Sequence, residues 1–230
     1  MTGASIQQLR DWAVKYNDPV YFTEDPIAFP REFLRRGAGL RDIETAAVFA
    51  AHFAWGRRSM IVRDLERFFD FIEWKPEEYV MGGDYRRDDT SIHRTVKWSE
   101  TALICGRLKD FYSTHDSLES LTPELFRTEI YGQKPDRNAP NKKINMLRRW
   151  MVRRDGKVDL GLWKNTSPEN LIIPLDVHVH EEARALSLTG SNAKSLKTAL
   201  EITDAFREIF PGDPCQGDFA LFGYGVTKKD

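Results

Sequence analysis

The segment IIPLDVHVHEEA sets Asp176, His178 and His180 at alternate positions behind an apolar run and Pro174. A carboxylate placed there has two uses. It can accept backbone N–H bonds as the N-cap of a following helix, a position Asp favours, or it can stand at the rim of a pocket. The two uses are compatible if the start of the helix is the pocket floor. Asp-x-His-x-His also invites a metal-dependent hydrolase with Asp176, His178 and His180 as ligands. On a helix, residues two apart diverge. The other histidines, His52, His93 and His115, lie in helical or irregular contexts. No metal and no cofactor are therefore expected.

The second chemical segment is NKKINMLRRWMVRRD. At about 100° per residue, Lys142, Arg149 and Arg153 fall in one narrow stripe, and Ile144, Leu147, Trp150 and Met151 in an apolar one. A basic stripe beside a buried face can hold a polyanion while the helix stays anchored. Lys143 projects nearer the apolar face, where desolvation favours a free amine. Lys142 and Lys143 are both candidates for amine chemistry. Arg57 and Arg58, beside Trp55, interrupt a helical pattern, where they could meet phosphate or pair with Asp64 or Glu66. Cys105 and Cys215 carry no nucleophile signature. No phosphate-binding loop or dinucleotide fingerprint is present.

The elements that must position these groups read as helices. Residues 5–16 show helical spacing behind Ser5 as a cap, and 17–33 read as an irregular, proline-rich wrap. Residues 41–72 read as two helices split at Trp55–Gly56–Arg57–Arg58, with Asp42 as the first cap. Residues 76–92 read as a polar connection, 98–112 as a helix and 131–141 as a loop. Residues 142–154, about 192–209 and the final DFALFGYGV, capped by Asp218, read as helices. IIPLDVHV has strand-like composition but no partner strand, so Pro174 is read as the start of a turn or helix. The expectation is all-α, with about nine to eleven helices in two lobes. Residues 41–130 form the central helices and 1–40 plus 131–230 the catalytic lobe, with the site in the cleft between.

The 230 residues carry 34 Lys and Arg against 35 Asp and Glu, which excludes a strongly basic binder. The total conceals an asymmetry. Residues 134–164 hold ten bases and three acids, while residues 176–218 hold eight acids and four bases. Two cysteines cannot build a disulfide framework or a four-cysteine cluster, and they point to a reducing compartment. No apolar run approaches the ~20 residues of a membrane span, and the first residues lack a signal-peptide core. A soluble, cytoplasmic chain with no membrane partner is expected.

Several segments together resemble known proteins. NMLRRWMVR, GRR, VDLGLW and IPLDVHV resemble, over nearly the whole chain, a bacterial family of unknown function. IIPLDVHV is remotely similar to the aspartate segment of helix-hairpin-helix DNA glycosylases, usually written Pro-Val-Asp-x-His-Val. DIETAAVFAAHFAWGRRSMIVRDLERFF resembles their early paired helices, whose junction faces DNA. DFALFGYGV resembles their last helix, near the base pocket. NKKINMLRRWMVRRD resembles the helix that carries the nucleophilic lysine of eight-oxoguanine glycosylases. Their glycine hairpin, Leu-Pro-Gly-Val-Gly, has no counterpart, because DLGLWKNTSPENL before Asp176 contains only Gly161.

The resemblance implies a two-lobed, all-α DNA glycosylase/AP lyase acting on a damaged, oxidised purine. Lys142, with Lys143 as alternative, would form a Schiff base and Asp176 would assist. Arg57, Arg58, Arg149, Arg153 and His178 would contact DNA. Trp55, Phe219 and Phe222 would stack on a flipped base. DNA is the expected partner, and no obligate protein partner is expected. The alternatives are a non-catalytic nucleic-acid-binding protein with the same fold and the Asp176–His178–His180 hydrolase.

Overall fold

The computed structural model describes residues 3–227. Among them it shows eleven α-helices and one short hairpin, an all-α architecture. No helix is long and apolar enough to cross a membrane. The chain divides into two compact units. A terminal unit comprises Met1–Tyr21 and Asp136–Asp230, and a central unit comprises Phe22–Pro135.

The terminal unit begins with α1 (Gly3–Tyr16). The central unit then opens with α2 (Ala28–Arg35), within the stretch expected to be irregular. Pro30 is tolerated because it lies in the first turn, where backbone N–H groups have no helical acceptor. Helices α3 (Leu40–Phe53) and α4 (Arg58–Phe71) are separate, as the spacing predicts. Gly56, at φ +106°, makes the turn between them. Ala46, Ala47, Ala50 and Ala51 are fully buried, and this small-residue face lets neighbouring elements approach closely. Around it, Phe49 and Phe68 pack at 4.4 Å between ring centroids, and Phe69 stacks on Phe29 at 5.2 Å.

Residues 76–92 are not merely a connection. They begin with α5 (Pro76–Gly82), which has Pro at its start and Glu77 and Glu78 in its first turn. Asp42 does not cap its own helix, whose N-cap is Gly39. Its carboxylate instead accepts the Glu77 N–H at 2.9 Å and so serves α5. The hairpin β1 (Ser91–His93) and β2 (Val96–Lys97) follows, then α6 (Trp98–Tyr112) and the short α7 (Pro123–Leu125).

The terminal unit resumes with α8 (Lys142–Val152), α9 (Val177–Ala185), α10 (Leu196–Ile209) and α11 (Gln216–Thr227). Leu9, Ile173, Leu175, Ile202, Phe206 and Leu221 belong to its apolar core. Ser195 caps α10, so that helix starts later than its periodicity predicts. Between α8 and α9 the chain turns back on α8. Leu160 and Gly161 donate to the Trp150 carbonyl at 2.7 and 3.2 Å, and Trp163 donates to Met151 at 2.8 Å. This stretch then makes one 3-10 turn, Pro168–Asn170, and no helical hairpin. Residues 172–175 are extended but pair with no strand. Ile173 donates instead to the Thr203 hydroxyl at 3.1 Å.

Candidate active site

Helix α8 positions the lysines. Asn141 precedes it in the left-handed conformation (φ 47°, ψ 43°), which Asn adopts more readily than most residues. Asn145 donates to the Pro140 carbonyl at 2.9 Å and ties down this entry. Ile144, Leu147, Trp150 and Met151 are buried, so the apolar stripe anchors the helix as expected. Lys142 is thereby fixed at the first helical position.

Asp176 comes from the other side. Pro174 and Leu175 are buried, and α9 starts one residue after the aspartate. The Asp176 side chain accepts the Val179 N–H at 2.9 Å, a conventional N-cap. Its other oxygen lies 4.0 Å from the Lys142 ammonium. The cap and rim readings of Asp176 thus hold together. At 4.0 Å the pair is held by charge and not by a direct hydrogen bond. The side chains are 28% and 37% exposed for Lys142 and Asp176 respectively, so an incoming group can reach both. Lys143 is half-buried on the adjoining face. The pair seen here is made by Lys142.

The rest of the α8 stripe corrects an expectation. Arg149 and Arg153 do not face a polyanion: they are 5% and 1% exposed. Arg149 donates to Asp159 at 3.3 Å and also to Asp218. Arg153 reaches Asp159 at 2.5 Å, Asp213 at 2.9 Å and Asp155 at 3.1 Å. The cause is general: a buried guanidinium needs carboxylates. Burial opposes the charge on Arg153, yet these aspartates more than offset it and hold it more firmly protonated than usual. Burial pushes the Asp218 carboxyl above the usual range. Arg149 pulls it back, and the negative charge of Asp176 pushes it further up. Burial likewise raises Asp159 against the pull of both arginines.

Phe219, a candidate base-stacking residue, is buried beneath the two guanidinium groups, which lie 4.8 and 4.9 Å from its ring centre. It is part of the charge cluster and not the wall of a recess. Phe222 packs against Tyr16 at 5.6 Å and Tyr21 at 6.2 Å. His178 is exposed on α9, whereas His180 is buried and its Nε2 donates to the Ser191 carbonyl at 3.0 Å. Asp176, His178 and His180 therefore do not converge. Among the described residues no group of three His, Cys, Asp or Glu side chains is placed to hold a metal.

Trp55, Arg57 and Arg58 belong to the central unit. Both arginines are exposed at the turn between α3 and α4. The Arg94 guanidinium lies 4.2 Å from the Trp55 ring centre. Buried His93 pins this turn, with Nε2 on the Trp55 carbonyl at 3.0 Å and Nδ1 on the Asp64 carboxylate at 2.8 Å. Asp64 also accepts from Arg63.

The acids of the cluster, Asp155, Asp159, Asp213 and Asp218, did not emerge as functional residues from the sequence. A signal was present in the basic 134–164 region and the acidic 176–218 region. Part of their charge meets inside the unit through Arg149–Asp218 and Arg153–Asp213.

Fold and site together define an all-α protein whose most distinctive chemistry is a lysine–aspartate pair at two helix starts, backed by buried ion pairs. The chain belongs to a family described as protein of unknown function (DUF2400), whose model matches residues 25–133 and 126–227. No curated protein and no solved structure matches it.

Proposed function

We propose that this chain is a DNA glycosylase/AP lyase acting on a damaged, oxidised purine. The observation that carries the reading is the approach of the Lys142 ammonium to the Asp176 carboxylate at 4.0 Å. The remote likeness of their two segments to the glycosylase motifs supports it.

In this reading the neutral Lys142 amine attacks the sugar C1′ of a flipped nucleotide. The C1′–N bond breaks, and the base leaves with its electron pair and a proton. Asp176 stabilises the positive charge developing on the sugar and assists proton transfer. Opening of the sugar ring gives an imine. Loss of the C2′ proton then expels the 3′ phosphate. Arg57 and Arg58 are the proposed phosphate contacts, and His178 is exposed on the helix that Asp176 starts.

Borohydride reduction in the presence of abasic-site or oxidised-guanine DNA tests this directly. The expected result is a covalent protein–DNA adduct that Lys142→Gln abolishes and Lys143→Gln retains. Asp176→Asn keeps a good cap and should slow trapping by roughly 10²–10⁴-fold. Salt-sensitive DNA binding with no adduct would overturn the catalytic reading in favour of a binding protein. An adduct surviving in Lys142→Gln would overturn the residue assignment.

A further inference from the structure

The charges around α8 do not balance. Lys142, Arg149 and Arg153 face Asp155, Asp159, Asp176, Asp213 and Asp218. Three cations against five carboxylates leave two negative charges without a counterpart within this set. Excess charge in a largely buried cluster is relieved most readily by binding protons.

Burial and pairing indicate which carboxyl takes one. Asp159 is fully buried but is served by both arginines. Asp155 and Asp213 are more exposed, at 21% and 20%, and both rest on Arg153. Asp218 is 15% exposed and meets Arg149, which is already shared with Asp159. It therefore has high burial and only a divided cation. Other charged or titratable groups around it are Asp159, Asp176 and Cys215. Arg149, its partner, stands two turns along α8 from Lys142, on the same stripe.

We infer that Asp218 is a positioning residue of the Lys142–Asp176 site, a proton-holding carboxyl coupled to Asp176 and anchored by Arg149. Its raised affinity for a proton agrees with this arrangement. The inference rests on the proposed amine chemistry for its purpose. The proton that leaves Lys142 is taken by the coupled Asp176–Asp218 pair. An N–H bond breaks, an O–H bond forms, and nitrogen keeps the electron pair with which it attacks. The net charge of the cluster does not change, so the step avoids creating an uncompensated buried charge.

Carboxyl-carbon NMR titration of the full chain tests the coupling without DNA. In Asp176→Asn, which preserves the helix cap, the Asp218 midpoint should fall by roughly half a pH unit or more. An unmoved midpoint, or one in the ordinary aspartate range in the unaltered protein, overturns the inference. A second measurement follows the pH dependence of borohydride trapping. Asp218→Asn should displace its acidic limb, and Asp218→Glu should restore it, whereas a purely structural role would change yield without moving the limb. If no protein traps DNA but the NMR coupling is present, the glycosylase reading falls and the coupled pair stands.

Discussion

Arg153 carries a charge with almost no access to water. It is tolerable only because Asp155, Asp159 and Asp213 surround it. Removing one member of such a group strands the others, at a typical cost of about 3–5 kcal/mol. Arg153→Ala should lower unfolding stability by that order in urea titration, and a loss below about 1 kcal/mol would show that the carboxylates relax into solvent. The residue scale is also where the sequence was most and least legible. Lys142 and Asp176 could be paired from their motifs because each sits at a helix start, whose side-chain direction is fixed by local rules. Arg149 and Arg153 could be assigned to one stripe, but not to its environment. Periodicity tells which residues share a face, whereas what covers that face depends on Asp159, Asp213 and Asp218 arriving from distant segments. Phe219 was misread for the same reason, since the ring lies under those guanidinium groups.

At the scale of elements, the long amphipathic helices were readable and the short ones were not. Helices α3, α4, α6 and α10 have enough turns for apolar spacing to repeat. Helix α5 has seven residues and owes part of its start to Asp42 of α3, which no local pattern shows. The hairpin at 91–97 is too short to alternate convincingly, and its register is set by packing. Gly161 is the element-scale counterpart of a buried charge. It has φ +64°, and a Cβ there would lie 2.7 Å from the Arg153 carbonyl oxygen and 2.9 Å from the Arg154 Cα. Backbone cannot swing aside as a side chain can. Gly161→Ala should therefore cost about 2–4 kcal/mol and disturb the end of α8. Thermal melting of this variant near that of the unaltered chain would show that the 155–163 segment shifts freely.

For the whole molecule, the near-neutral formal charge hides an internal electrostatic account that should appear as pH dependence. Asp218 and Asp159 are raised in the folded state by burial, against their arginine partners. Their contribution to stability is fully present below the ordinary carboxylate range and is lost as pH rises through the raised folded values. Asp155 behaves oppositely. Burial raises it, but Arg153, the Lys157 N–H and Asn17 bring it below the ordinary value, so its contribution appears above that range and is lost on acidification. Melting curves taken at increasing pH from about 4 should show the unaltered protein losing stability relative to Asp218→Asn. Parallel curves would mean that Asp218 titrates alike in the folded and unfolded chains.

Asp176 joins two obligations in one side chain, since one oxygen starts α9 and the other faces the Lys142 ammonium. Mutational tolerance at this site is therefore two-tiered. Drift to Asn or Ser would silence the acid while the helix still nucleates, leaving a folded relic. Drift to an aliphatic residue would forfeit chemistry and folding together.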